Sequence, residues 1–309
     1  AEPERFPTAE EICSAAGIFS TGFRCDGSKQ ARREFTNWHQ ALSAFAAGNE
    51  CGDGSRAPAF LSKYCQSVDI VTYAEKHPEK VGSVRGYKGS VYGPIIDFDI
   101  DSRDGSGNPT PEVAVPKAIA LLDTLTALQI PPDLIRVYFS GSKGFHISFP
   151  SMLAGALPGV ELPAVEKCFC GMVAKRAGAE IDQSIYQTVH LLRAPNSVHE
   201  DSGLYKIPLT IEELRTLTLG EIRQLASRSR NMPLPGLVHE PVAAVADLWR
   251  QATTAARNGR QQPRGGSCGS SAGGDPPRIY SSTWQFLLNG AEEGERATEL
   301  FKAAANLGD

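Results

Sequence analysis

The chain has 309 residues, 41% of them hydrophobic, and a formal net charge of −4. That is enough apolar material for one large domain or two modest ones. No run of about eighteen apolar residues exists, and the opening Ala-Glu-Pro-Glu-Arg-Phe-Pro lacks the basic-then-apolar order of a leader, so no membrane association is expected and the cytoplasm is the expected compartment. Seven cysteines at irregular spacing (Cys13, Cys25, Cys51, Cys65, Cys168, Cys170, Cys268) fit a reduced compartment better than a disulfide framework. Zinc held by Cys13, Cys25, Cys51, Cys65 and His39 has little support, because no Cys-x2-Cys or His-x3-His pair is present.

In chain order, residues 8–75 carry mainly helical patterns: Thr8-x-x-Glu11 forms a capping box, and Glu34 to Ala47 has apolar residues at helical spacing. From Val81 the pattern is β-like and culminates in Ile95-Ile96-Asp97-Phe98-Asp99-Ile100-Asp101. Pro116 suits the first turn of a helix running to Leu128. Leu134 to Pro150 reads as a hairpin, Leu162 to Ala177 as a helix, and Asp182 stands where a further strand would begin. Helix is expected from Thr210 to about Ser229. Residues 236–278 read as a Pro, Gly and Arg-rich linker; between Arg250 and Arg278 five arginines (Arg250, Arg257, Arg260, Arg264 and Arg278) stand against one acid, Asp275, and such an arm could touch a phosphate backbone. An amphipathic helix is expected from Glu292 to Leu307. Because residue 1 is Ala and the chain stops within a helical pattern, further protein is expected beyond Asp309.

Two segments carry chemistry. A strand over residues 95–101 turns Ile96, Phe98 and Ile100 to one side and Asp97, Asp99 and Asp101 to the other. Alternate Cα atoms then lie about 7 Å apart, close enough for two carboxylates to share one divalent ion or to hold two. In Phe139-Ser140-Gly141-Ser142-Lys143-Gly144-Phe145-His146, a tight turn offers backbone amides and one ammonium, a combination suited to phosphate oxygens. The turn is too short for a Walker loop. Burying Phe145, Ile147 and Phe149 leaves Ser140 and His146 on the face where Asp97 and Asp99 would stand. A carboxylate strand beside a phosphate-binding turn points to metal-assisted phosphoryl or nucleotidyl transfer. Further on, Leu191-Leu192-Arg193-Ala194-Pro195-Asn196-Ser197-Val198-His199 sets an arginine and potential donors around a turn.

The order Asp-Phe-Asp, Ser-Gly-Ser-Lys-Gly-Phe-His, Ile-Asp and Leu-Leu-Arg resembles the archaeo-eukaryotic primase superfamily, particularly the primase-polymerases carried by phages and plasmids, over roughly Val91 to Pro208. Phe286-Leu287-Leu288-Asn289-Gly290 and Leu300-Phe301-Lys302 are similar to the opening of the helical primase C-terminal domain. The resemblance implies an α+β fold: an α/β module and a sheet like that of an RNA-recognition motif around a cleft, with helical additions at both ends. The expected divisions are a mainly helical N-terminal part of the catalytic module over 1–80, which the resemblance does not cover, a catalytic core over 81–235, the linker over 236–278 and the start of the C-terminal domain over 279–309. The resemblance implies that Asp97, Asp99 and Asp182 are catalytic and hold two Mg²⁺ or Mn²⁺ ions, and that Ser140, Ser142, Lys143, Gly144, His146 and Arg193 bind a nucleoside triphosphate, with Asn196, His199 and Lys206 as weaker members. Ala194-Pro195-Asn196 departs from the more usual Leu-Pro-Gly. The implied partners are a single-stranded DNA template, ribo- or deoxyribonucleoside triphosphates and a helicase beyond residue 309. A metal-dependent nuclease, a glycosyltransferase using Asp-x-Asp and a non-catalytic replication initiator are the rival readings.

Overall fold

A computed structural model describes residues 16–21, 32–37, 59–66, 69–77, 86–102, 106, 110–230 and 240–261. Its strands are β1 (Ala16–Thr21), β2 (Arg32–Asn37), β3 (Ala59–Ser62), β4 (Cys65–Gln66), β5 (Val91–Tyr92), β6 (Ile95–Asp101), β7 (Arg136–Phe139), β8 (Gly144–Pro150), β9 (Leu191–Arg193) and β10 (Ile207–Leu209). Its helices are α1 (Asp69–Lys76), α2 (Pro111–Ala127), α3 (Leu162–Ala177), α4 (Ile211–Thr216), α5 (Leu219–Leu225) and α6 (Ala243–Gln261). The architecture is α+β, as expected.

Two sheets organise it. One is six-stranded in the order β5-β4-β1-β3-β9, with β2 also pairing β1, and the other is four-stranded in the order β10-β7-β8-β6. The second follows from period-two patterning. Ile96, Phe98 and Ile100 of β6, Phe145, Ile147 and Phe149 of β8, Val137 and Phe139 of β7, and Ile207 and Leu209 of β10 are all buried. They pack with Leu121, Leu122 and Leu125 of α2 and Phe169 and Val173 of α3 in one core, the Phe149 and Phe169 rings meeting edge-on at 6.3 Å. Burying alternate residues forces the intervening ones to the opposite face.

Five expectations are corrected. The described part of residues 8–75 holds β1 to β4 as well as α1, so it is not mainly helical. Arg32 to Asn37 pairs antiparallel with Ala16 to Thr21 along its whole length, and β-prone Ile18, Phe19, Phe35 and Thr36 suit that pairing better than a helix. The expected boundary at residue 80 runs through a sheet, since β3 pairs with β9. Pro111, not Pro116, opens α2, and Pro116 lies inside the helix. The expected linker contains α6, whose Val245, Leu248, Trp249, Ala252 and Ala256 are buried at helical spacing, with Trp249 against Phe169 at 5.3 Å. The segment 210–229 is two short helices, each opened by a complete capping box, Thr210 with Glu213 and Thr218 with Glu221. The helix expected from Glu292 to Leu307, the rest of the arginine-rich stretch and Cys13, Cys25, Cys51 and His39 lie outside the described residues.

Trp249→Ala is expected to lower stability by about 3 kcal/mol, read as a reduced urea midpoint. An unchanged midpoint would mean that α6 contributes little to the core.

Candidate active site

The polar face of the four-stranded sheet is built row by row. Register sets Asp97 opposite Ser148, Asp99 opposite His146 and Asp101 opposite Gly144, and continues from His146 to Tyr138 and from Ser148 to Arg136. Gly144 is required here, because a Cβ on it would lie 2.0 Å from the Ile100 carbonyl oxygen. Gly141 adopts φ +91°, and a Cβ there would come within 2.9 Å of the Leu204 carbonyl oxygen.

β6 ends its sheet, so its outer backbone groups need partners from elsewhere. The Asp97 amide reaches Glu166 Oε1 of α3 at 3.4 Å, and the Asp97 carbonyl accepts from the Tyr186 hydroxyl at 2.8 Å. The Asp99 carbonyl accepts from the Asp182 amide at 2.8 Å. This last bond brings the third acid beside the second across more than eighty residues of chain. No strand begins at Asp182; it caps a 3₁₀ turn, its carboxylate accepting from the Ser184 amide and hydroxyl at 2.7 and 2.9 Å.

The carboxylates on this face differ in their partners. Asp97 Oδ2 lies 3.0 Å from Lys63 Nζ, Asp182 is engaged with Ser184, and Asp101 pairs with Lys143. Asp99 is left: its Oδ1 is buried without a hydrogen-bond partner, and the nearest ring nitrogen, His146 Nε2, is 3.6 Å away. Burial pushes the Asp99 carboxyl up to about 8, with Asp101 and Asp182 adding to the effect and Lys206 and Lys143 opposing it. An orphaned carboxylate oxygen held by burial and neighbouring acids is what a hard divalent cation would relieve, and the aspartates are the oxygen donors such ions take. The donor chemistry therefore fits Mg²⁺ or Mn²⁺. The expected closed set does not stand ready, however: among the described residues no three His, Cys, Asp or Glu side chains are grouped to hold a metal ion, and Asp97 and Asp182 are engaged by Lys63 and Ser184.

Around Asp99 stands a set of cations. Lys206 is buried, its Nζ 3.3 Å from His146 Nδ1, 2.9 Å from the Arg193 carbonyl and 5.3 Å from the Tyr138 ring centre. Burial draws Lys206 down to about 8 against the pull of Asp97 and Asp99. Burial, then Lys206, Arg193, Lys143 and Lys63, hold His146 well below its usual range. The imidazole is thus neutral, and with the Lys206 ammonium donating to Nδ1 its proton sits on Nε2, toward Asp99. Arg193 of β9 lies over Phe60 at 4.7 Å and is fixed by the Val198 carbonyl at 2.7 Å and Glu200 at 2.5 Å.

Other expected ligands are committed to the fold. Ser140 Oγ accepts from the amides of Gly144 at 3.1 Å and Ser142 at 3.4 Å, so two of the amides expected to meet phosphate are used within the turn. Asn196, at φ +59°, gives its amide to the Arg230 carbonyl at 3.0 Å and accepts from the Arg230 amide at 2.9 Å. His199 Nδ1 accepts from the Asp201 amide at 3.2 Å. Lys206, a marginal candidate from sequence, is central.

Lys63, Tyr64, Glu166 and Tyr186 were not identified from sequence. Glu166 did carry a signal: it is an acid on the buried stripe of α3 among Leu162, Val165, Phe169, Cys170 and Val173. Cys170 is packing, as expected, with Sγ 3.8 Å from the Asp97 carbonyl.

No family model and no curated protein matches the chain. Among solved structures it is similar to the polymerase domain of Ligase D from Mycobacterium tuberculosis in complex with DNA, at 13% identity and TM-score 0.39, covering 79% of this chain and 82% of that one. It is also similar to the AEP domain of the primase-polymerase of cyanophage S-2L, at 11% identity and TM-score 0.36, covering 70% of this chain and 91% of that one.

Asn196→Ala is expected to cost about 2 kcal/mol of stability through two lost bonds to the part-buried Arg230 backbone, seen in thermal unfolding, while affinity for nucleotide is unchanged. Weakened nucleotide binding without loss of stability would restore Asn196 as a ligand.

Proposed function

We propose that the chain is a DNA primase-polymerase that adds nucleotides from nucleoside triphosphates to a primer on a single-stranded DNA template with the help of a divalent cation. The observation that carries this reading is the buried, unpartnered carboxylate oxygen of Asp99, next to a neutral histidine and within the field of the buried Lys206 and the part-exposed Lys143, on the face predicted to meet metal and triphosphate. The ordered resemblance of Asp97-Phe98-Asp99, Ser140 to His146 and Leu191 to Arg193 to primase-polymerase motifs supports it independently.

Asp99 would anchor Mg²⁺ or Mn²⁺, joined by Asp97 and Asp182. Bound there, the cations would lower the pKa of the attacking 3′-hydroxyl and offset charge on the leaving pyrophosphate. The chain's own groups do the rest. Lys206 presents positive charge that is already desolvated, and Arg193 a guanidinium fixed by Val198 and Glu200, so little reorganisation is needed as negative charge builds on the triphosphate. Lys143 has a part-exposed side chain at the hairpin turn and can exchange Asp101 for a phosphate oxygen. His146 offers its Nε2 proton as a neutral donor and, being uncharged, leaves the carboxylates free to attract a cation. A nuclease would need the same carboxylates, but this concentration of cations suits a triphosphate more than a single phosphodiester.

Asp99→Asn is expected to reduce template-dependent incorporation of labelled nucleotide by at least about a hundredfold while the unfolding temperature holds or rises, because burial already disfavours the charged carboxyl at this position and the amide carries no charge to bury. His146→Ala is expected to weaken nucleotide binding in a fluorescence titration. Undiminished primer extension by Asp99→Asn would overturn the proposal, and shortening of the primer by the wild type would favour the nuclease.

A further inference from the structure

A lysine ammonium removed from water needs a carboxylate, and Lys63 has two. Its side chain is wholly buried, with Nζ 3.0 Å from Asp97 Oδ2 and 2.7 Å from Glu166 Oε1. The two acids differ in outlook: the Asp97 side chain is 17% exposed, toward the site, and that of Glu166 is 2% exposed, toward the interior. One cation is therefore shared between a working carboxylate and an internal one.

The surroundings hold this arrangement in place. The Lys63 amide donates to the His190 carbonyl at 2.8 Å, which ties the residue to β9. Tyr64 Oη donates to Glu166 Oε2 at 2.8 Å, and the faces of Tyr64 and Tyr186 lie 5.2 and 5.4 Å from Nζ. With aromatic walls on either side, the ammonium has no route to water. Any movement away from Asp97 takes it further onto Glu166, whose second oxygen Tyr64 already satisfies.

Resting on the primase-polymerase reading, we infer that Lys63 is a positioning residue: it holds the Asp97 carboxylate aimed into the site while no metal is bound, and yields that carboxylate to a divalent cation by transferring its hydrogen bonding to Glu166. The consequence is conditional loading. While Lys63 neutralises Asp97, and Lys143 and Lys206 stand nearby, a bare divalent cation gains little at this site. A cation arriving with a triphosphate brings its own negative charge to the lysines and can displace Lys63. Glu166 thus acts as the receiver without which the carboxylate could not be released, and Tyr64 keeps that receiver oriented.

The test is Mn²⁺ binding by the full 309-residue chain, followed by electron paramagnetic resonance of the free ion, with and without a non-hydrolysable nucleoside triphosphate. The double variant Lys63→Met, Glu166→Gln removes the ammonium together with the carboxylate it would leave bare. Without nucleotide, it is expected to bind Mn²⁺ on the order of tenfold tighter than the wild type. The single variant Glu166→Gln leaves Lys63 with Asp97 alone, and is expected to bind Mn²⁺ several-fold more weakly than the wild type even with nucleotide present. A merely structural role would shift the unfolding temperature and leave both affinities alone. A double variant that binds no tighter than the wild type, or a Glu166→Gln variant with wild-type affinity, would overturn the inference while the wild type still binds Mn²⁺ with nucleotide. If the wild type itself binds no Mn²⁺ with nucleotide, the primase-polymerase reading fails as well.

Discussion

An edge strand leaves every second pair of its backbone groups without a neighbour, and in β6 those groups belong to Asp97 and Asp99, the residues of most chemical interest. Water cannot serve them under α3. Glu166, Tyr186 and the Asp182 amide supply the missing bonds instead, so the closing of one sheet edge and the assembly of the site are the same event. This explains why the turn at 182–186 sits where it does, and why α3 carries a buried glutamate within its apolar stripe, in its second turn.

That glutamate brings a second constraint. A buried carboxylate is costly unless paired, and its partner, Lys63, comes from the turn between β3 and β4 in the other sheet. Lys63 thereby joins the two sheets through α3 and Asp97. The burial that makes the ion pair costly to break also gives Lys206 and His146 their unusual protonation: one a lysine with a weakened hold on its proton, the other an imidazole that stays neutral among cations. Asp99 is the counterpart of both, a carboxylate the fold buries without giving one of its oxygens a partner. Such a group persists only where the rest of the structure is stable enough to hold it.

Part of this was legible without coordinates. The alternation through residues 95–101 and 145–149 placed Asp97, Asp99 and His146 on one face, and the core confirms that periodicity. The limits of α3 and the hairpin were also legible, since both rest on local spacing and turn residues. Other signals misled. Helical spacing was outweighed by pairing with β1 over Glu34 to Asn37, the described part of the expected helix, an arginine-rich stretch concealed the apolar stripe of α6, and the polar residues Ser140, Asn196 and His199 bond to nearby backbone amides and carbonyls.

By itself, then, the amino-acid order determined which residues share a face, because side-chain direction in a strand repeats every two residues whatever surrounds it. It could not decide which charges meet. Lys63 lies 34 positions before Asp97, Glu166 lies 69 after it, and Lys206 is 60 beyond His146; no periodicity links such distances. Only the folding of two sheets and a helix around one strand edge brought these groups within hydrogen-bonding reach, since a buried charge takes whatever partner the tertiary fold delivers.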